Sequence, residues 1–171
     1  MIKTIGAILL IGGATVIGFS ASAALSVRSR SLALILQALN VMRAEIGERL
    51  SPLEDVMLRL SKICASPLGE FFAECADEMK EKPDIPFGMI WARELSRADN
   101  LRLDMKEKEE LCALGNVLGR YSAKEQCISI DHAIRSISSF AKVAEEEHAK
   151  LGKLYAKLGI ICGISVVIVF I

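Results

Sequence analysis

The charge map constrains this chain more than any motif in it. It has 21 basic and 21 acidic residues, and only Lys3 lies outside residues 28–157. Thr4 to Val27 and Leu158 to Ile171 carry no charge at all. A water-soluble fold gains nothing by putting its most apolar segments at its termini, whereas a domain held to a bilayer by both ends requires it. A helix rises about 1.5 Å per residue, so roughly 20 apolar residues cross a ~30 Å hydrocarbon core. Ile5 to Leu25 meets that length. The second segment is shorter, but Leu154, Tyr155 and Ala156 extend it and Lys157 can snorkel to the interface. The expected organisation is an N-terminal transmembrane helix over 1–27, a helical bundle over 28–153 and a C-terminal transmembrane helix over 154–171.

Arg28, Arg30, Lys150, Lys153 and Lys157 flank the inner ends of the two segments. The positive-inside rule then puts the central domain in the cytoplasm and both termini outside. A competing reading makes Lys3, Ile5 to Phe19 and Ala21-Ser22-Ala23 a cleaved signal peptide, releasing an extracytoplasmic helical domain. The five cysteines, odd in number and without a C-x-x-C pair, fit small buried residues in a reducing compartment. Ala14, Gly18 and Ser22 form one row of small residues, and Gly159 and Gly163 another. Such rows pack the two helices of one chain together or join copies into a homo-oligomer.

Between the ends, 20 basic residues face 21 acidic ones, so no basic surplus points to nucleic acid. The periodicity is helical throughout. Leu32, Ile35, Leu39, Met42, Ile46 and Leu50 predict one apolar stripe. Ser51-Pro52-Leu53-Glu54 predicts a helix start with Ser51 as N-cap and Glu54 closing a capping box. Leu53, Val56, Met57, Leu60 and Ile63 follow as its apolar face. Ser66-Pro67 opens a third helix carrying Phe71, Phe72, Cys75 and Met79. After the break at Pro83 and Pro86, a short helix carries Phe87, Ile90, Trp91 and Leu95. A fifth is expected from about Asp104 to Leu118, ended by Gly119. Ser122 and Glu125 form another capping box, and apolar spacing then runs from Cys127 to Leu158. The expected fold class is all-α: a six-helix bundle flanked by two transmembrane helices, its last helix continuous with the second of them.

Enzyme signatures are absent: there is no glycine-rich phosphate loop, no G-x-S-x-G and no H-E-x-x-H. No catalytic residue, cofactor or metal is therefore expected. Glu145-x-x-His148 occurs once, where a di-iron bundle needs two such pairs. His132 is expected to be solvated and His148 packed. The runs Lys106 to Glu110 and Glu145 to Glu147 read as solvated helix faces or as electrostatic docking sites. Trp91, the sole tryptophan, is either a core residue or an interface anchor.

Several features in order point to one family. Gly18-Phe19 ends a glycine-rich apolar segment, and a leucine-rich helix follows with Ala44-Glu45-Ile46. Then come Ser51-Pro52-Leu53, the lone Trp91, Leu118-Gly119, Gln126 and a long helix into an apolar end. This order resembles the stage III sporulation protein AB family of endospore-forming bacteria, over nearly the whole chain. That family in turn resembles the cytoplasmic helical domain of type II secretion system protein F, from which this chain departs in having one domain and two membrane segments. The resemblance implies a non-enzymatic membrane platform in a channel between mother cell and forespore. Its central domain would lie on the mother-cell side of the membrane facing the forespore. The implied partners are a secretion-type ATPase resembling stage III sporulation protein AA, other channel proteins and membrane lipid. Glu45, Pro52-Leu53, Trp91, Leu118-Gly119 and Gln126 match the family pattern, none as a catalytic residue. The candidate partner interface is Glu45, Trp91, Gln126, Glu145 and Glu146. A membrane-anchored enzyme or metal-binding protein is the alternative of another class.

Overall fold

The computed structural model describes residues 26–170, the side chains of 151–170 excepted. The first membrane-segment expectation and the row Ala14, Gly18, Ser22 fall outside the described residues; of the second segment and the row Gly159, Gly163 the helical backbone alone is described. Within them, no helix is long and apolar enough to cross a membrane. The described residues form six α-helices and no strand. Helix α1 spans residues 26–47. It is followed by α2 (Leu53–Ile63), α3 (Leu68–Glu81), α4 (Phe87–Arg97), a 3-10 turn (Asp99–Leu101), α5 (Met105–Gly115) and α6 (Ala123–Phe170).

The chain divides into two compact units. One joins residues 1–29 and 143–171, where Arg28 pairs with Glu147 at 3.3 Å. The other, residues 30–142, contains the apolar core. Its α1 stripe is buried at Leu32, Ile35, Ala38, Leu39, Met42 and Ile46. The three-four spacing that identifies the helix therefore also identifies its inner face. Helix α2 adds Val56, Met57 and Leu60, and α3 adds Phe71, Phe72 and Cys75. Ile130, Ala133 and Ile137 are the buried residues of α6 in this unit.

Trp91 is the centre of an aromatic cluster. Its ring meets Phe71 edge-on at 4.9 Å between centroids, with Phe87 at 5.6 Å and Phe72 at 6.2 Å. Its Nε1–H donates to the Leu111 carbonyl at 2.8 Å, which satisfies the one polar group this large side chain buries. Gly115 lies against the same ring, where a larger residue would have no room.

Four expectations need correction. Leu50 does not continue the α1 stripe: helix α1 ends at residue 47, and Leu50 is 70% exposed with φ +52°. Ser51 does not cap α2. Pro52 takes the N-cap position without a side-chain cap bond, because the Ser51 hydroxyl points back to Glu45. Helix α5 stops at Gly115, and residues 116–120 turn before Gly119 takes φ +72°. Glu107 is not on a solvated face. It is fully buried and closes a capping box with Asp104, accepting from the Asp104 N–H at 2.8 Å while Asp104 accepts from the Glu107 N–H at 2.9 Å.

Candidate functional site

The family-matching residues Glu45, Pro52, Leu53, Gly119 and Gln126, spread over 80 positions of sequence, converge at one corner of residues 30–142. Two chain reversals build it: α1 into α2, and α5 into α6.

Helix α1 ends with the Glu48 N–H on the Ala44 carbonyl at 3.0 Å and the Ser51 N–H on the Glu45 carbonyl at 3.0 Å. Closing this end requires a residue in the left-handed region, the usual place for glycine. The chain has Leu50 there. A side chain with a Cβ in that region costs about 1–2 kcal/mol, and an exposed leucine offsets none of it by burial. Pro52 follows with φ −56°, and its carbonyl accepts the first α2 bond, from Val56 at 3.1 Å.

Glu45 fixes this reversal from beneath and is only 5% exposed. Its Oε1 accepts from Arg49 Nη1 at 2.6 Å and faces Arg59 Nε at 3.3 Å, while its Oε2 accepts from the Ser51 hydroxyl at 3.1 Å. Burying a carboxylate costs several kcal/mol unless it is paired and hydrogen-bonded, and here it is both. The two arginines remain more than half exposed, so their charge is displayed at the surface while the compensating carboxylate is not.

The second reversal is held by Gln126. Its Oε1 accepts from the Gly119 N–H at 3.1 Å, and its Nε2 donates to the Tyr121 carbonyl at 2.7 Å. The amide thus uses both its ends on the backbone of one turn. Ser122 and Glu125 form the expected capping box: the Glu125 carboxylate accepts from the Ser122 N–H at 3.0 Å and hydroxyl at 2.6 Å. These bonds hold the Glu125 carboxyl below the usual carboxylate range.

Between the two reversals lies an open groove of about 260 Å³. Ile46, Leu50, Pro52 and Leu53 line it on one side, with Gly119, Ala123 and Gln126 on the other. A hollow with this lining can take an apolar side chain. Ser51 also lines it, with its hydroxyl turned onto the Glu45 carboxylate. Among the described residues, no group of three His, Cys, Asp or Glu is arranged to hold a metal ion.

The remaining candidates lie elsewhere. Trp91 is 2% exposed within the aromatic cluster, so it packs the core and presents nothing to a partner in this conformation. Glu145 and Glu146 are exposed on α6, and Glu146 accepts from Lys150 at 3.4 Å. His132 is exposed and its Nδ1 meets Glu110 at 2.8 Å; His148 is partly buried.

Sequence reasoning missed a second feature, a wider groove of about 390 Å³ along α3 and the end of α4. Glu70, Glu74, Asp77, Glu78, Glu81 and Glu94 line it, against Arg97, with Phe71, Pro67 and Ala98 between them. Glu94 is buried and pairs with Arg97 at 3.0 Å and Arg93 at 3.1 Å; Arg93 also pairs with Glu78. Partial desolvation, then a hydrogen bond to Glu94 and the charge of Glu94, push the Glu74 carboxyl up. The signal was present in the sequence: Glu70, Glu74, Asp77 and Glu81 step by four, three and four along one helix face.

The geometry defines a class: an all-helical, six-helix domain in which Glu45 and Glu107 brace helix ends and Glu94 pairs with Arg93 and Arg97. Comparison with known proteins narrows it. The family model described as stage III sporulation protein AB matches residues 3–171, and the chain belongs to that family. The stage III sporulation protein AB of Bacillus subtilis (strain 168) is 26% identical over 169 residues, covering 98% of both chains. A solved structure of a stage III sporulation protein AB superposes with a TM-score of 0.65 at 25% identity, covering 71% of this chain and 96% of that one.

Proposed function

We propose that this chain is a non-enzymatic membrane platform component of the channel that sporulating cells build between mother cell and forespore. Both uncharged ends cross the membrane, the helical domain lies in the mother-cell cytoplasm, and a secretion-type ATPase docks on that domain. The observation that carries this reading is the family match over residues 3–171, which includes both ends as well as the domain. Two features of the chain support it. Arg28 and Arg30 at one uncharged end and Lys150, Lys153 and Lys157 at the other lie on the domain side, against Lys3 alone on the outer side. The buried carboxylates Glu45, Glu94 and Glu107 each serve a helix end or a helix pair, as in a scaffold. For the ATPase, exposed Glu145 and Glu146 offer a carboxylate pair at the helix surface, while Glu45 and Gln126 act indirectly by shaping the corner.

The full chain in detergent, mixed with a stage III sporulation protein AA-type ATPase, tests the docking. Retention of the ATPase, weakened by Glu145→Lys with Glu146→Lys, is the expected result. No retention, together with normal spore counts in a deletion strain, would overturn the proposal.

A further inference from the structure

Helix α1 differs from every other helix of residues 30–142 in what it shows to solvent. From Ser31 to Met42 it carries no charge on any side. Its apolar stripe goes inward, but Ala33, Gln37 and Asn40 are exposed, with Leu34, Leu36 and Val41 half-buried beside them. The other helices all expose charge: Arg59 on α2, Glu74 on α3, Arg97 on α4, Lys106 on α5 and Arg135 on α6. Helix α6 widens the uncharged surface. Arg43 Nε pairs with Asp131 at 2.5 Å, and Cys127 Sγ lies 3.9 Å from the Arg43 carbonyl and against the backbone at Gly47. These contacts run α6 antiparallel beside α1, with Cys127 and Asp131 on the flank that faces it. Ile134, Ser138 and Ala141 continue that flank in steps of three and four, half-buried and uncharged. The same register brings Ile134 level with Asn40 and Ala141 level with Ala33. From Ala33 to Ala44 the seam is about 16 Å long at 1.5 Å per residue, and the Arg43–Asp131 pair closes one end of it.

Charge is depleted at the centre of protein interfaces, not on an ordinary solvated helix face. A face without charge has nothing to select a charged partner and nothing to repel its own copy. Its polar groups are amides. Gln37, at mid-strip, makes no hydrogen bond among the described residues. Asn40 donates its Nδ2–H to the Leu36 carbonyl at 2.7 Å, which leaves its Oδ1 open. An amide carries both a donor and an acceptor, so it matches an identical amide. Steps of three or four back from Ala33 land on Ser29, Ser26, Ser22 and Gly18, so in sequence the strip is in step with the small residues of the first uncharged end. Short side chains let two helix backbones come close. The uncharged segment ends at Val27, six positions before Ala33. An occupant held in the same membrane therefore meets the strip without a linker.

We propose that α1 of one copy packs against α1 of a second copy along this strip, parallel and about a two-fold axis, with Gln37 meeting Gln37. The choice of surface stands on residues 30–142. The parallel direction rests on the membrane reading above, since two copies inserted the same way run α1 in the same sense. The contact is isologous, so it stops at two copies. A polar residue at such a seam fixes the register of the helix pair.

Disulfide trapping of the full chain in native membranes tests it, with one cysteine added at a time. Ala33→Cys, Gln37→Cys and Asn40→Cys should each give a dimer, because a parallel two-fold pair brings equal residue numbers together. Ala113→Cys, exposed on α5, and the unaltered chain should give none. Trapping at only one of the three positions, trapping no greater than that of Ala113→Cys, an adduct with another protein, or a ladder beyond two copies would each overturn the proposal. A second variant separates contact from folding. Gln37→Glu lies on the exposed strip and should leave the thermal midpoint unchanged. Its two facing carboxylates should lower trapping at position 33 on the order of tenfold; trapping that survives it refutes the contact. Alkaline carbonate extraction reports the anchoring separately. A chain that stays in the membrane but is not trapped overturns this contact and leaves the membrane reading standing. A chain that carbonate releases fails the membrane reading and, with it, the parallel direction.

Discussion

Gly115→Ala is the sharpest probe of the core. In a helix interior alanine is favoured over glycine by about 1 kcal/mol, so an open site would be stabilised. Gly115 is the last residue of α5, which makes that gain an upper bound. The site is not open: a Cβ at Gly115 would stand 2.6 Å from Trp91 Cγ and 3.0 Å from Nε1, and closer still to Cδ1. Carbon pairs settle at about 3.5–4.0 Å, so the ring must retreat by roughly 1 Å. Phe71 holds one side of it at 4.9 Å, Phe87 another at 5.6 Å, and the bond to the Leu111 carbonyl fixes its polar edge at 2.8 Å. Overpacking of this kind costs about 1–3 kcal/mol. A buried Nε1–H pulled off its acceptor costs about 1–3 kcal/mol more. Setting the helix gain against these leaves a net destabilisation of about 1–5 kcal/mol. At about 4 °C per kcal/mol for a domain this size, the helical melt of the full chain followed at 222 nm should fall by roughly 4–20 °C. Trp91 is the sole tryptophan, so its emission should shift to the red in the same variant. In a Trp91→Leu background, where no indole remains to be displaced, the penalty should shrink markedly. An equal or higher midpoint in Gly115→Ala would show that the ring is not clamped as described.

Other outcomes follow from the same geometry. Gly119→Ala should destabilise by about 1–2 kcal/mol, since φ is +72° and a Cβ would meet Leu53 Cδ2 at 2.9 Å, the flexible end of a side chain; a melt unchanged within error would refute it. Glu107→Ala should cost about 1–2 kcal/mol through the lost capping box, with the fastest amide exchange appearing in the first turn of α5. The folded Glu74 carboxyl has its pKa raised above the unfolded value, so its contribution is present at low pH and is lost as pH rises through the folded value. Glu74→Gln should therefore raise the midpoint at pH 7 and change it little near pH 4; the reverse order would contradict the assigned contact with Glu94. Burial pushes the Cys75 thiol far up, and those of Cys64 and Cys112 upward. Alkylation of native protein at pH 8 should leave Cys75 unmodified until the chain unfolds.

The helices and the faces they bury are written in the spacing of apolar residues along the chain. Leu32 to Ile46, Val56 to Leu60 and Ile130 to Ile137 are inward because three-four spacing and burial have the same geometric origin. The Ser122–Glu125 capping box was legible for a similar reason, since both partners lie within one turn of chain. The family was legible through the order of its weak motifs.

Tertiary structure decided what those motifs are for. Ser51 has the right type and spacing for an N-cap, but its hydroxyl goes to Glu45, six residues back, because a buried carboxylate needs donors more than an exposed helix start does. Leu50 fits the apolar stripe by number, yet the chain reversal into Pro52 takes it out of the helix and into solvent. Local spacing cannot report either outcome, because each depends on a group brought near by a turn. The convergence of Glu45 with Gly119 and Gln126, and the gathering of six carboxylates between α3 and α4, likewise arise only when distant helices pack. Periodicity fixes which side of a helix is apolar; only packing fixes what that side, and its polar neighbours, will meet.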